Sequence, residues 1–438
     1  MYNVIIKNVR CFSEEQFVPV KPITILIGEN SSGKSTFLAA TRIAWDLLQG
    51  KQNLDFNEEP FTLGLYDQIA SYRGGKAGRA KGFTIGIHAE IEKSRKDQNG
   101  LVNVTVKGNF VSEGGKPVLS NWEFISEEYQ AEITFESQKR LKVLLTTPSG
   151  KYDIDENEIP FLPFSFGIME LFSYFRFAFR EKKSNNPSEG KRPTDEELLY
   201  LRELGRQISR AFDERPYAIA PIRTRPSVTY DPLKDIPTPE GTHIPILLAK
   251  ISSTDKVKWS KLRESLDSFG KASGLFDDVE VRRMGQKEGD PFQVTIKISG
   301  PPFNLAYVGY GISQVLPILV DTLMASDGST FLLQQPEVHL HPKAQAELGS
   351  FLAAVAKASN KNFIIETHSD YLLDRIRMDI RDKNFLSAGD VSILYFERSG
   401  GVVSIQPINI DENGNLLDVP IGYRQFFLQE ERRMILGD

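Results

Sequence analysis

Residues 22–48 read PITILIGENSSGKSTFLAATRIAWDLL. The first six residues are a short, β-rich apolar run, and the last twelve carry apolar side chains at helical spacing. Between them, Gly28 to Ser35 matches G-x-x-x-x-G-K-[ST] in full, so the motif sits where it must, after a strand and before a helix. Glycines at 28 and 33 let backbone N–H groups curl around phosphate oxygens, and the helix N-terminus adds its positive dipole end. Lys34 neutralises the β- and γ-phosphates, Ser35 ligates Mg²⁺ and Thr36 assists at the α-phosphate. Glu29, Asn30, Ser31 and Ser32 complete the loop around the nucleotide. ATP with Mg²⁺ is the expected ligand. A chance glycine turn would rarely reproduce both the motif and its flanks.

The chain has 438 residues, which fits about three domains or one ATPase-sized α/β domain with insertions. Apolar residues make up 40% and charged residues 25%, with no apolar run of membrane-spanning length. The start, MYNVIIKNVRCF, lacks the parts of a signal peptide, and Cys11 is the only cysteine. Neither an intrachain disulfide nor a cysteine-based zinc site can form, and a cytoplasmic location is expected. The formal charge of −5 argues against a uniformly basic nucleic-acid binder but leaves local patches open.

Alternating stretches from about 82 to 153 predict an antiparallel meander. A Phe- and Leu-rich segment at 156–181, a polar break at KKSNNPSEGKRPT and DEELLYLRELGRQISRAF predict two helices joined by a flexible loop. Helical pattern covers 244–274, and 291–299 alternates as a strand. The last third predicts helix 312–325, strand 330–334, helix 343–357, strand 362–366, helix 369–382 and strands 391–397 and 402–408. Strands alternating with helices imply a mainly parallel sheet covered on its faces. The expected organisation is an N-terminal lobe over 1–155, a helical insertion over 156–213, a C-terminal lobe over 214–410 and a tail over 411–438.

Gly309, Gly311 and Ser313, in NLAYVGYGISQVLPILVDTL, stand at the start of a predicted helix. Such a start suits an anion, although a capped helix of no special role would look the same. The strand FLLQQPE and the strand FIIETHS follow, and ligands of parallel sheets gather at the carboxyl ends of strands. Gln334, Gln335 and His368 should therefore approach the phosphate loop.

The ordered set GENSSGKST, VGYGISQ, LLQQPEVHLHP and IIETHSD resembles the ATP-binding cassette (ABC) ATPases of the RecF, SMC and OLD type. YAIAPIRTRPSVTY and EGTHIPILLA are similar to the OLD-like subgroup, and the whole resemblance covers roughly 1–50 and 215–410. It implies an α/β ABC ATPase head of two lobes, a mainly parallel sheet flanked by helices plus an antiparallel β lobe, here with a helical insertion. It further implies homodimers, or higher oligomers, that sandwich ATP between the phosphate loop of one subunit and the signature segment of the other. By that resemblance Gly309, Gly311 and Ser313 are the signature, Gln334 and Gln335 occupy the Walker B positions, and His368 is the switch histidine near the γ-phosphate. Gln68 is the Q-loop candidate.

Two departures matter. The family signature has a serine where this chain has Gly309, so Ser313 has to supply the hydroxyl. The family Walker B strand ends in carboxylates, one on the Mg²⁺ shell and one polarising the attacking water; here both are glutamine. A Gln carbonyl still accepts a bond, so Gln334 can face the metal, but Gln335 cannot take a proton near pH 7. Losing general-base help costs on the order of 10²–10⁴ in rate, so hydrolysis is expected to be slow. Glu337 is either a substitute base or a structural acid bonded to a backbone N–H or an arginine, and Glu366 is a further candidate base.

His339 and His341 lack a third ligand for zinc and read as structural or interface residues; His88 and His243 have no partner legible in sequence. Arg73, Lys76, Arg79 and Lys81, beside Tyr72, form a basic glycine loop that is either a solvated face or a contact for a DNA backbone. Arg223 and Arg225, in PIRTRP, resemble a recurring element of the OLD-like group, whose expected place is near the nucleotide or the lobe junction. The Phe-rich segment reads as core or oligomer interface. The chain ends soon after its last predicted hairpin, without the acidic cluster of the nuclease domain that follows many OLD ATPases. The expected function is thus an ATP-binding sensor or scaffold controlling a separate effector, a nuclease, without membrane contact, in the manner of antiphage systems of the Septu and PARIS type. A RecF-like repair ATPase with active hydrolysis is the alternative.

Overall fold

The computed structural model describes residues 2–51, 54–75, 78–92, 100–137, 140–154, 168, 171–173, 175, 192–231, 236–287, 289–423, 429 and 432–435. Most of the expected helical insertion, part of the C-terminal tail and Lys76 of the basic loop lie outside these residues.

In chain order, β1 (Tyr2–Lys7) and β2 (Gln16–Val20) precede β3 (Ile23–Gly28), α1 (Lys34–Leu48) and the short α2 (Tyr66–Ile69). Six strands follow: β4 (Phe83–Glu92), β5 (Leu101–Glu113), β6 (Lys116–Ser126), β7 (Tyr129–Ser137), β8 (Arg140–Thr147) and β9 (Gly150–Ile154). Then come α3 (Asp195–Ala211), β10 (Tyr217–Ile219), α4 (Ile244–Thr254), α5 (Lys256–Ser273), β11 (Asp278–Arg283), β12 (Phe292–Lys297) and β13 (Pro302–Asn304). The chain continues through α6 (Tyr310–Met324), β14 (Thr330–Gln334), α7 (Pro342–Ser359), β15 (Asn362–Glu366) and α8 (Asp370–Arg381). It closes with β16 (Val391–Ser399), β17 (Val402–Ile410) and β18 (Leu416–Leu417).

These elements fall into two compact units. One comprises Met1–Val20, Asn30–Arg215 and Glu397–Ile405; the other comprises Lys21–Glu29, Pro216–Phe396 and Gln406–Asp438. The first holds an eight-stranded sheet in the order β2-β1-β4-β5-β6-β7-β8-β9, antiparallel at every pairing. Alternation builds it: in β5, Val102, Val104, Val106 and Phe110 are buried while their neighbours face outward. β6 departs from that alternation for a physical reason. A register shift opposite Asn109 and Phe110 makes its buried residues Leu119, Trp122 and Phe124, which breaks the period of two. Of the Phe-rich segment, Phe172 and Phe175 are fully buried, and Phe172 meets Phe124 edge to face at 4.9 Å, which is core packing. α3 starts at a reciprocal capping box between Thr194 and Glu197.

The second unit holds a seven-stranded sheet in the order β10-β14-β15-β3-β16-β17-β18. The pairings from β10 to β16 are parallel. β14 is buried along its whole length, as a parallel strand covered on both faces must be. Its core gathers Ile25, Leu248, Leu319, Leu333, Leu352 and Ile365. A three-stranded sheet, β11-β12-β13, completes the unit. The α/β class, with a mainly parallel sheet and a separate antiparallel one, is therefore as expected.

Candidate functional site

β3 lies between β15 and β16, so its last residues run beside the carboxyl ends of both. Leu26 is opposite Glu366 on one side and Leu394 on the other. The phosphate loop leaves the sheet there. Its backbone takes positive φ at Gly28 (143°), Ser31 (60°) and Gly33 (94°), which turns the chain sharply before α1. At Gly33 the glycine is required twice over: a Cβ would lie 2.6 Å from Cys11 Sγ and 2.8 Å from a ring carbon of Phe12. Lys34 is only 3% exposed, and its Nζ donates to Ser32 Oγ at 3.5 Å, which holds the ammonium in the loop. Glu29, Asn30, Ser31 and Ser35 are exposed.

Arg10 was not singled out from sequence, and no short motif marks it. Its Nη1 donates to Thr36 Oγ1 at 3.1 Å, Nη2 to Leu63 O at 2.9 Å and Nε to Gln68 O at 3.3 Å. Thr36, expected at the α-phosphate, here gives its hydroxyl oxygen to Arg10. The Gln68 amide caps its own short helix, accepting from Leu65 N at 2.8 Å, so in this conformation the Q-loop candidate is engaged locally.

At the end of β14 the chain makes a strained turn, with Gln335 at φ 43°. Its N–H donates to Glu366 O at 2.7 Å and its carbonyl accepts from Arg223 Nη2 at 3.3 Å. Gln334 is buried, and its Oε1 has no partner among the described residues. Pro336 lies in a turn closed by the Val338 N–H on Gln335 O at 3.2 Å, and Glu337 is buried at 7% exposure, where Oε1 accepts the N–H of His368 at 2.8 Å. Burial pushes the Glu337 carboxyl above the usual range, against the opposing pulls of the His368 N–H, Thr367 and Arg223. Arg223 is 1% exposed, and burial lowers its guanidinium to about 10 although Glu337 raises it. His368 is exposed beyond the end of β15, while Glu366 is buried within the strand. Gln334, Gln335, Glu337, Arg223, Glu366 and His368 thus meet at one edge of the parallel sheet, and Arg225 points outward.

The signature segment departs from expectation at Ser313. Its side chain is 6% exposed and its hydroxyl donates to Tyr310 O at 2.8 Å, the back-bond a serine makes within a helix. The hydroxyl is therefore turned into α6 rather than presented outward. Gly309 N-caps α6 with open space where a Cβ would be, and Gly311 lets the helix approach the next turn, since a Cβ there would sit 2.8 Å from His339 O.

His339 stands edge to face with Tyr310 at 5.0 Å, and His341 N-caps α7. No cluster of metal-ligating side chains occurs among the described residues. The two histidines without legible partners have them: His243 Nε2 lies 2.9 Å from Asp321 Oδ1, and His88 Nδ1 lies 2.8 Å from Thr105 Oγ1. In the basic loop Arg73 is bound to Ser13 O and Glu14, and Arg79 donates to Ala70 O and lies over the Tyr72 ring. Those two arginines brace the loop through these contacts while staying exposed, as Lys81 is.

A family model described as an AAA domain matches residues 3–273, and one described as an AAA ATPase domain matches 240–373. The chain belongs to the AAA domain family. ATP-binding P-loop ATPase character follows for this AAA-type chain from the family and from the loop at Gly28–Ser35. Comparison with curated proteins gives no match. Among solved structures, the SMC head domain from Thermotoga maritima is similar at 13% identity, over 93% of this chain and 98% of that one, with a TM-score of 0.38. The Smc head domain with an extended coiled coil bound to the C-terminal domain of ScpA, from Pyrococcus furiosus, matches at 10% identity, over 99% and 100%, with a TM-score of 0.41. The Smc head domain with a coiled coil and joint from Pyrococcus yayanosii matches at 10%, over 93% and 98%, with a TM-score of 0.43. No helix among the described residues is long and apolar enough to cross a membrane.

Proposed function

We propose that this AAA-family chain is an ATP-controlled switch that binds MgATP tightly, hydrolyses it slowly and governs an effector carried on another chain. The observation that carries this reading is the pairing of a complete phosphate loop with a Walker B strand that ends in two neutral amides. The residues have the chemistry for the nucleotide: Gly28 to Thr36 would cradle its phosphates, Lys34 would neutralise them, and Ser35 and the Gln334 carbonyl, which has no partner among the described residues, would each be a candidate ligand for Mg²⁺. Bound Mg²⁺ would supply charge neutralisation on the β- and γ-phosphates. Gln335 takes the place of the base, and Glu337, already committed through Oε1 to the His368 N–H, acts mainly as a holder of the switch segment. His368 contacts the γ-phosphate.

In this proposal two copies close around ATP, with Gly309, Gly311 and the first turn of α6 on the opposite nucleotide. Ser313 joins only if its hydroxyl leaves Tyr310 O. ATP-driven dimerisation and DNA-stimulated activation are described for SMC ATPases; the dimer here rests on the order of the four motifs. Likeness to OLD-type ATPases supports a nuclease as the effector, in antiphage defence, and a cytoplasmic setting. DNA contact at 72–82 would fall to the exposed cations Arg73, Arg79 and Lys81.

Equilibrium binding of ATP and single-turnover hydrolysis by the purified full chain, with sedimentation in both nucleotide states, test the proposal. Expected are firm binding, an ATP-dependent dimer and turnover slower than nucleotide exchange. Fast turnover that Glu337→Gln abolishes would instead support a RecF-like active ATPase using Glu337 as base.

A further inference from the structure

We infer that Arg223 and Gln314 form a buried relay that ties the signature helix to the switch histidine, so that ATP sensed at one is reported to the other. This rests on the sandwich-dimer reading for its purpose but not for its geometry. Gln314, the residue after Ser313, is fully buried. Its amide clasps the backbone of Arg223 from both sides, accepting from Arg223 N at 3.1 Å and donating to Arg223 O at 3.3 Å. A side-chain amide that mimics a strand pairing in this way makes the first turn of α6 and the Arg223 segment move together.

From there the Arg223 guanidinium reaches Gln335 O at 3.3 Å and carries an attractive charge interaction with Glu337. Glu337 holds the His368 N–H at 2.8 Å, and Gln335 N binds Glu366 O at 2.7 Å. The next residue, Thr367, donates its N–H to Leu26 O at 3.2 Å, on the strand that runs into the phosphate loop. Gln314, Arg223 and Glu337 are buried and Gln335 is half-buried, so the path reaches the surface only at His368. Among the described residues the guanidinium Nε and Nη1 and the Glu337 Oε2 have no hydrogen-bond partner, so donors and an acceptor remain for a second arrangement of the same groups. Gln335, held at φ 43°, is the strained point where such a change would be absorbed. Two discrete arrangements of one polar network are what coupling between sites requires. Arg223 and Gln314 are positioning residues: they act through the backbone of Gln335 and through Glu337.

Hydrogen exchange of the full chain tests this, with MgATP as the probe and at a concentration where sedimentation shows monomer. In the wild type, ATP is expected to change exchange at 309–316 by about 10-fold, a typical coupling between sites. In Gln314→Met the response at 366–370 is expected to persist while that at 309–316 falls below about 2-fold. A change that merely loosened the fold would alter exchange without ATP and would not separate the two responses. Arg223→Lys, which keeps the cation near Glu337 and loses the guanidinium fork, gives a second reading if Gln314→Met does not fold. The relay is overturned if 309–316 is silent in the wild type, or if both segments respond at full size in the variants. A wild type that binds ATP and stays monomeric at all concentrations overturns the dimer reading alone, and the exchange result still decides the relay.

Discussion

The phosphate loop and the turn after β14 are both strand ends of one parallel sheet, yet they treat charge in opposite ways. In the loop a single cation, Lys34, is 3% exposed within a curl of backbone whose ligand is an anion. At the turn the neutral amides Gln334 and Gln335 stand first, and the carboxylate, Glu337, comes two residues later, buried beside Arg223 and bonded to the next strand's exit. The first region is built to wait for a ligand. The second buries its charged groups and satisfies them only in part, since Arg223 Nε and Nη1 and Glu337 Oε2 have no partner among the described residues.

The comparison can be broken most directly by restoring the missing base. Gln335→Glu is expected to raise the single-turnover rate by about 10²–10⁴-fold, the usual worth of general-base help. An unchanged rate would mean that the turn, held by Arg223 and Glu366, keeps position 335 from the water. Lys34→Ala is expected to weaken ATP binding by roughly 10- to 100-fold in calorimetry, the worth of a lost charge-assisted bond. Retained affinity would show that the loop's backbone alone carries binding. Gly33→Ala is expected to cost about 1–3 kcal/mol in urea unfolding, because φ 94° is strained for alanine and its methyl would meet Cys11 and Phe12.

The smallest effect concerns pH. The native Glu337 carboxyl holds its proton to higher pH than it does in the unfolded chain. Its proton-linked stabilisation is therefore full at the acid end and declines as pH rises through the native value. The stability of wild type relative to Glu337→Gln is expected to fall as pH climbs from about 4.3, the unfolded value, toward neutrality. A difference flat with pH would mean that Arg223 and the His368 N–H cancel the burial.

Much of this arrangement could be read from residues close in sequence. The loop at 28–35, the strands at 330–334 and 362–366 and the helices between them follow from local pattern, because buried parallel strands must be continuously apolar and phosphate loops need glycine at fixed places. The identities Gln334 and Gln335, and so the loss of negative charge at the strand end, are likewise sequence facts. Long-range contacts were not legible: Arg10 on Thr36, Gln314 on Arg223 and His243 on Asp321 join residues 26, 91 and 78 positions apart. No spacing rule links such pairs. Ser313 shows the same limit at short range, since its hydroxyl could face a ligand or its own helix, and only the packing of α6 turned it to Tyr310 O. Sequence alone thus determined which chemical groups stand at the sheet's edge. Tertiary structure decided their surroundings, because it buries Glu337 and Arg223, and the loss of water disfavours the charged form of each by more than their mutual attraction restores.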